Sequence, residues 1–116
     1  MIPMYRARQG DIVWMNFDPQ AGHEQQGRRP ALIVSNNTFN DFSKVAAMVC
    51  PITNRDKGIG LQVKLDDHTV TRGVIMCDQA KILDLLKRDA EFIEKVTEDT
   101  LFEVVDIING IVEIED

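Results

Sequence analysis

Short apolar runs separated by polar breakers fill the chain up to about residue 96, after which the spacing of apolar positions changes to that of a helix. Asp11-Ile-Val-Trp-Met-Asn-Phe17 is apolar on both alternating faces, which predicts a strand covered on two sides, and Asp18-Pro19 stops it. Ala31-Leu-Ile-Val34, bounded by Pro30 and by Ser35-Asn36-Asn37, predicts a second buried strand. Asn36 to Ser43 carries Phe39 and Phe42 among Asn and Asp and predicts one short helical turn over the end of a barrel. Lys44 to Ile52 predicts a third strand, with Val45, Ala47 and Val49 alternating up to Pro51. Leu61 to Leu65 reads as a half-exposed strand, Asp66-Asp67-His68 as a turn, and Gly73 to Cys77 as a fifth strand. Ala80 to Leu86 resumes the apolar and polar alternation, and Glu91 to Val96 adds a short edge strand.

Thr97 opens the clearest helix. Its hydroxyl suits an N-cap, and Glu98 and Asp99 sit where the helix dipole favours negative charge. Leu101, Val105, Ile108 and Val112 recur at helical spacing and predict the face that packs on the sheet. Asn109-Gly110 weakens the helix by about 1 kcal/mol at the glycine and leaves room for an early end. Strands first and a helix last predict a mainly β fold with α: a small, strongly curved antiparallel sheet or barrel with a C-terminal helix on it.

The length of 116 residues suits a single domain over 1–116, able to bury roughly two-thirds of its unfolded surface. Met1 to Gly10 has Arg6 and Arg8 but no apolar run behind them, so neither a signal peptide nor a membrane span is expected and the cytoplasm is the expected location. Cys50 and Cys77 lie inside apolar runs with no second Cys or His at ligand spacing. They are expected to be buried reduced thiols, with no metal site and no cofactor.

A net charge of −6 argues at first against a nucleic-acid partner. Its distribution changes that picture: residues 1–88 carry 12 Lys and Arg against 9 Asp and Glu, whereas residues 89–116 carry 1 against 10. Screening over about 8 Å at physiological salt lets a mildly basic body keep a local anion site despite an acidic end.

Three polar interruptions stand between the strands: Gly22 to Pro30, Thr53 to Gly60, and Asp78-Gln79. The first packs His23, Glu24, Gln25, Gln26, Arg28 and Arg29 between breakers, a loop dense in donors and carried between two strands. If the three converge, they gather His23, Arg28, Arg29, Thr53, Asp78 and Gln79, a set suited to a phosphodiester. Guanidinium groups take phosphate oxygens in a bidentate fork, and a His or Asp nearby can take a proton from a ribose hydroxyl. Each residue also has a plainer alternative: His23 an exposed imidazole, Arg29 a partner for Glu24 or Asp11, Thr53 a turn residue and Asp78 a turn cap.

Gly10-Asp-Ile-Val-Trp14, Phe17-Asp18-Pro19, Gly22-His-Glu-Gln-Gln-Gly27, Arg29-Pro30-Ala-Leu-Ile-Val34-Ser35, Pro51-Ile-Thr53 and Gly73-Val74 leading to Asp78-Gln79 together resemble the MazF/PemK (Kid) family of toxin endoribonucleases, in order and over nearly the whole chain. The resemblance implies an SH3-like or CcdB-like barrel with a C-terminal helix, a homodimer, and metal-independent cleavage of single-stranded RNA. In that chemistry the ribose 2′-hydroxyl attacks the neighbouring phosphate, leaving a 2′,3′-cyclic phosphate and a 5′-hydroxyl. Carried over by position, Arg29 resembles the arginine at the scissile phosphate and Thr53 the threonine that steadies it. His23 and Asp78 resemble a stabilising residue and a general base. Asp11, Glu24, Gln25, Arg28, Arg55, Lys57 and Gln79 are the implied RNA-contacting positions.

One position departs from the Kid-like pattern. Met76 stands where that branch has an arginine two places before the aspartate, and it cannot donate a proton. Arginine holds its proton with a pKa above about 12, so charge stabilisation is the expected role of Arg29. An antitoxin is implied as partner, laying an acidic segment over the basic loops around Arg28, Arg29, Arg55 and Lys57. Sequence choice is expected in Thr53 to Gly60 and Asn36 to Ser43. The alternative is a non-enzymatic gyrase poison of the CcdB type; it calls for a C-terminal helix ending in aromatic and apolar residues, whereas this chain ends Glu113-Ile-Glu-Asp116.

Overall fold

A computed structural model describes residues 4–17, 27–55, 58 and 60–116. In chain order they form β1 (Asp11–Asn16), β2 (Arg28–Ile33), α1 (Asn37–Ser43), β3 (Ala46–Thr53), β4 (Gln62–Lys64) and β5 (Val74–Met76), then a single 3-10 turn (Cys77–Gln79), β6 (Lys81–Asp84), β7 (Glu91–Lys95) and α2 (Glu98–Val112). The strands make an antiparallel sheet in the order β4-β5-β3-β2-β1-β7, and β6 pairs with β3 off that path. This is the expected mainly β architecture with a C-terminal helix.

β3 is the strand the others depend on. One edge pairs with β2; the other pairs with β6 from Ala46 to Val49 and with β5 at Ile52 and Thr53. Pro51 falls in the gap between those two ladders, where a missing N–H removes no rung. Alternation along the central strands sends side chains to two cores. Ile12, Leu32, Cys50, Ile52, Val63 and Ile75 pack under Val104 of α2 on one side, and Val13, Met15, Phe17, Ala31, Ile33 and Val49 pack on the other. β1 is thus buried on both faces, as its apolar alternation predicts, except at Trp14, which is exposed.

Several boundaries differ from the sequence expectation. β2 begins at Arg28, three residues before Ala31, because Asn16, Met15 and Trp14 of β1 pair with Arg28, Arg29 and Pro30. The β2–β3 ladder starts only at Ala31, so Pro30 sits just ahead of it. Thr53 is the last residue of β3 and not the first of a loop. β3 starts at Ala46 because Lys44, at φ 69°, turns the chain, with Val45 N donating to Ser43 O at 2.8 Å. The single turn expected near Phe39 is a seven-residue helix, capped by Asn36 Oδ1 accepting from Phe39 N at 2.8 Å.

Thr97 caps α2 as expected, its Oγ1 accepting from Thr100 N at 3.3 Å. The helix passes through Asn109-Gly110 to Val112 instead of ending early. Its buried face centres on Val104 and Thr100, with Ile107 and Ile108 packed beside them. Val112, expected on that face, is 72% exposed. Both phases satisfy a period of 3.6, and the sheet selects the one that fits over Ile12 and Cys77. No helix among the described residues is long and apolar enough to cross a membrane.

Candidate active site

Arg28 and Arg29 stand at the start of β2, opposite Asn16 and Met15. Phe17 N donates to Gly27 O at 2.9 Å, so the chain on either side of residues 18–26 is fastened directly below the two arginines. Arg28 is committed to the turn before β7: its Nη2 donates to Asp89 O at 2.8 Å and to Glu91 Oε1 at 3.2 Å. Arg88 returns the tie, with Nη1 donating to Asn16 O at 3.2 Å and its own carbonyl accepting from Asn16 N at 3.0 Å. The next guanidinium along the strand is that of half-buried Arg29. Carried one pleat beyond the Ala31–Pro51 pair, the β2–β3 register sets Arg29 across from Thr53.

Thr53 is only 5% exposed, and its Oγ1 accepts from Arg55 N at 3.2 Å. On its other side it pairs with Val74, and Gly73 presses against its carbonyl. At φ +123°, with an added Cβ falling 2.4 Å from Thr53 O, Gly73 has to be glycine.

Two devices on β7 complete the site. Glu94 accepts from Val70 N at 3.0 Å and from Thr71 N and Thr71 Oγ1 at 2.7 Å each. This carboxylate therefore fastens the β4–β5 connection, from one end of the sheet order, to β7 at the other. Burial alone would raise the Glu94 carboxyl, but the bonds from Thr71 Oγ1, Thr71 N and Val70 N outweigh it and hold the group below its ordinary value. Next to it, the β1–β7 register shifts: Ile12 pairs with Glu94 and Val13 with Phe92, so Ile93 is the extra residue of a bulge.

These elements enclose a cavity of about 430 Å³. Trp14, Pro30, Ile52 and Ile93 give it apolar walls; Arg28, Arg29, Arg72, Asn54 and Thr71 give it polar ones. Three guanidinium groups beside an indole that is 39% exposed suit an anion carrying a flat apolar group, the chemistry of a nucleotide. A second cavity of about 380 Å³, lined by residues including Tyr5, Val45, Leu85 and Ala90, contains none of the expected catalytic residues.

Residues 8–112 match the family described as PemK-like, MazF-like toxin of type II toxin-antitoxin system. The chain belongs to this family. Among relatives, endoribonuclease PemK of Escherichia coli is 39% identical over 100 residues, covering 83% of this chain and 74% of the relative. The crystal structure of MazF from Deinococcus radiodurans superposes with a TM-score of 0.87 at 38% identity, covering 96% of this chain and all of that one. A MazE–MazF structure from the same organism gives 0.82, also at 38% identity, over 97% of this chain and all of that one.

Within this PemK/MazF-family chain, the expected site residues divide. Arg29 and Arg28 line the cavity; Thr53, buried at the end of β3, is not among the lining residues, although its neighbours Ile52 and Asn54 are. Asp78 is exposed on the 3-10 turn and is not among the lining residues; its Oδ2 lies 3.2 Å from where a Cβ on Gly60 would stand. Burial pushes the Cys77 thiol up to about 11, helped by the charges of Asp78 and Glu103, and raises Cys50 further, so both free cysteines are protonated at neutral pH.

Asp11 corrects an expectation. It does not line a groove: it is 3% exposed, accepts from Tyr5 Oη at 2.5 Å and pairs with Lys95 Nζ at 2.5 Å, so it anchors the N-terminal segment to β7. Arg55 is exposed and Gln79 half-buried, and neither lines the cavity. Met76 is half-buried in β5, its Sδ accepting from Gln62 Nε2 at 3.5 Å. His23, Glu24, Gln25 and Lys57 lie outside the described residues.

Asn54 lies in the expected Thr53 to Gly60 segment, whereas the sequence expectation gave no site role to Trp14, Thr71, Arg72 or Ile93. Trp14 carried a signal, as the aromatic of the Gly10-Asp-Ile-Val-Trp14 run. Thr71 and Arg72 carried a weaker one: they directly precede the glycine that abuts Thr53.

Proposed function

We propose that the chain is a metal-independent endoribonuclease toxin that cleaves single-stranded RNA at short sequences. The observation that carries this function is the cavity lined by Arg28, Arg29 and Arg72 beside Trp14, with Thr53 buried in β3 between two of its lining residues, Ile52 and Asn54. Arg29 offsets the charge that develops on the phosphate as the 2′-hydroxyl attacks, and Thr53, whose hydroxyl accepts one bond and still has a proton to give, steadies a phosphate oxygen. The products are a 2′,3′-cyclic phosphate and a 5′-hydroxyl. In this reading Asp78 takes the proton from the 2′-hydroxyl as general base and His23 is the stabilising residue. Glu24, Gln25, Arg28, Arg55, Lys57 and Gln79 are the proposed RNA-contacting residues.

The partners follow from the same charges. A cognate antitoxin lays an acidic segment across the cavity and shields its arginines, and the toxin works as a homodimer in the cytoplasm. The test is to incubate purified protein with single-stranded RNA in EDTA and sequence the new ends. Cutting with cyclic phosphate ends is expected, and Arg29→Ala is expected to lower the rate at least about 10²-fold while circular dichroism stays unchanged. Intact RNA, or cutting that needs a divalent ion, would overturn the proposal.

A further inference from the structure

Arg72 is the cation of this cavity for which neither the strand pattern nor the resemblance assigns a role. Its backbone is held from both directions. On the N-terminal side Glu94 takes three hydrogen bonds from Val70 and Thr71; on the C-terminal side Gly73 abuts the Thr53 carbonyl at a distance no other residue tolerates. Arg72 thus projects from a short segment pinned to β7 and to β3 at once. Its side chain is 65% exposed, and the partner it meets is Asp67 at 3.2 Å, itself 98% exposed. Water screens such a pair, so it yields readily to a stronger anion. Arg28, by contrast, is tied down by Asp89 and Glu91. A polynucleotide carries a phosphate at every residue, so a strand held at Arg29 offers neighbouring phosphates to a second guanidinium that lines the same cavity.

Resting on the RNA-binding function proposed above, we infer that Arg72 is a second phosphate-binding residue of this site and that Glu94 is the positioning residue that aims it. The contact is to the sugar–phosphate chain and carries no base preference.

The probe is a mixed-sequence single-stranded RNA with every 2′-hydroxyl methylated, which cannot be cut by 2′-hydroxyl attack. Its binding is followed by fluorescence anisotropy over a range of salt concentrations. Arg72→Ala is expected to weaken binding about tenfold and to flatten the dependence of log K on log salt by about 0.7, the value for one phosphate on a single strand. Arg72→Lys, which keeps the charge, restores most of the slope. Glu94→Gln weakens binding in the same direction, and in the double variant with Arg72→Ala adds little, as expected for residues acting through one contact. Unchanged affinity and slope in Arg72→Ala, or a loss that Arg72→Lys does not restore, would overturn the inference. So would full additivity of the Glu94 and Arg72 changes. Because the probe is uncleavable, these results stand apart from the cleavage test: protein that cuts RNA while Arg72→Ala binds normally sinks Arg72 alone, and protein that binds with the expected slope but never cuts sinks the nuclease chemistry alone.

Discussion

Asp11 shows how a single carboxylate can look like a ligand-binding group and serve the fold. It sits at the first position of β1, fully covered, with a phenol on one oxygen and an ammonium on the other. Asp11→Asn keeps the shape but weakens both contacts, and we expect a loss of about 1–3 kcal/mol in urea unfolding with RNA cleavage per folded molecule unchanged. A groove residue would show the opposite. Burial, then the bond to Asp11 and its charge, raise the Tyr5 phenol above its ordinary 10.0. A group raised on folding contributes stability below its unfolded value and loses it as pH rises further, so Tyr5 makes the fold sensitive to alkali above about pH 10. Tyr5→Phe is expected to reduce that sensitivity in a pH series of thermal melts.

At the scale of elements, two glycines invite opposite outcomes. Gly73→Ala forces a Cβ into the Thr53 carbonyl at a φ of +123°, and the β3–β5 ladder has to shift. A loss of roughly 2–4 kcal/mol in melting experiments is expected, together with weaker RNA binding as Thr53 moves. Gly110, exposed in α2 with open space around it, has room for a methyl group. Gly110→Ala is expected to stabilise by about 0.5–1 kcal/mol. Much of the element order was legible in the sequence, because β1, β3 and the cap of α2 declare themselves through apolar runs and a Thr before acidic residues. Which strands pair was not legible: nothing in Ala46–Thr53 says that one edge serves two partners, since partner choice depends on residues more than twenty positions away. Arg29 and Thr53 were legible through their motifs, whereas the signals of Trp14 and Arg72 gained meaning only when the fold placed both on one cavity with Ile93.

For the whole molecule, Glu94 links strands from opposite ends of the sheet order. Its carboxyl is held below the ordinary 4.5, so its contribution is complete above that value and is lost as pH falls through the lower one. The amides of Val70 and Thr71 are expected to lose hydrogen-exchange protection in mildly acid solution before the core amides of Ile33 and Val49 do, and Glu94→Gln should show the same local opening at neutral pH.

The double pairing of β3 has a further consequence for how the molecule comes apart. Neither the β4–β5 hairpin nor β6 can leave without stripping the strand on which β2 also relies. Denaturation should therefore run as one cooperative step, with fluorescence of Trp14 and far-ultraviolet ellipticity tracing the same curve and no half-folded nuclease for a protease to trap.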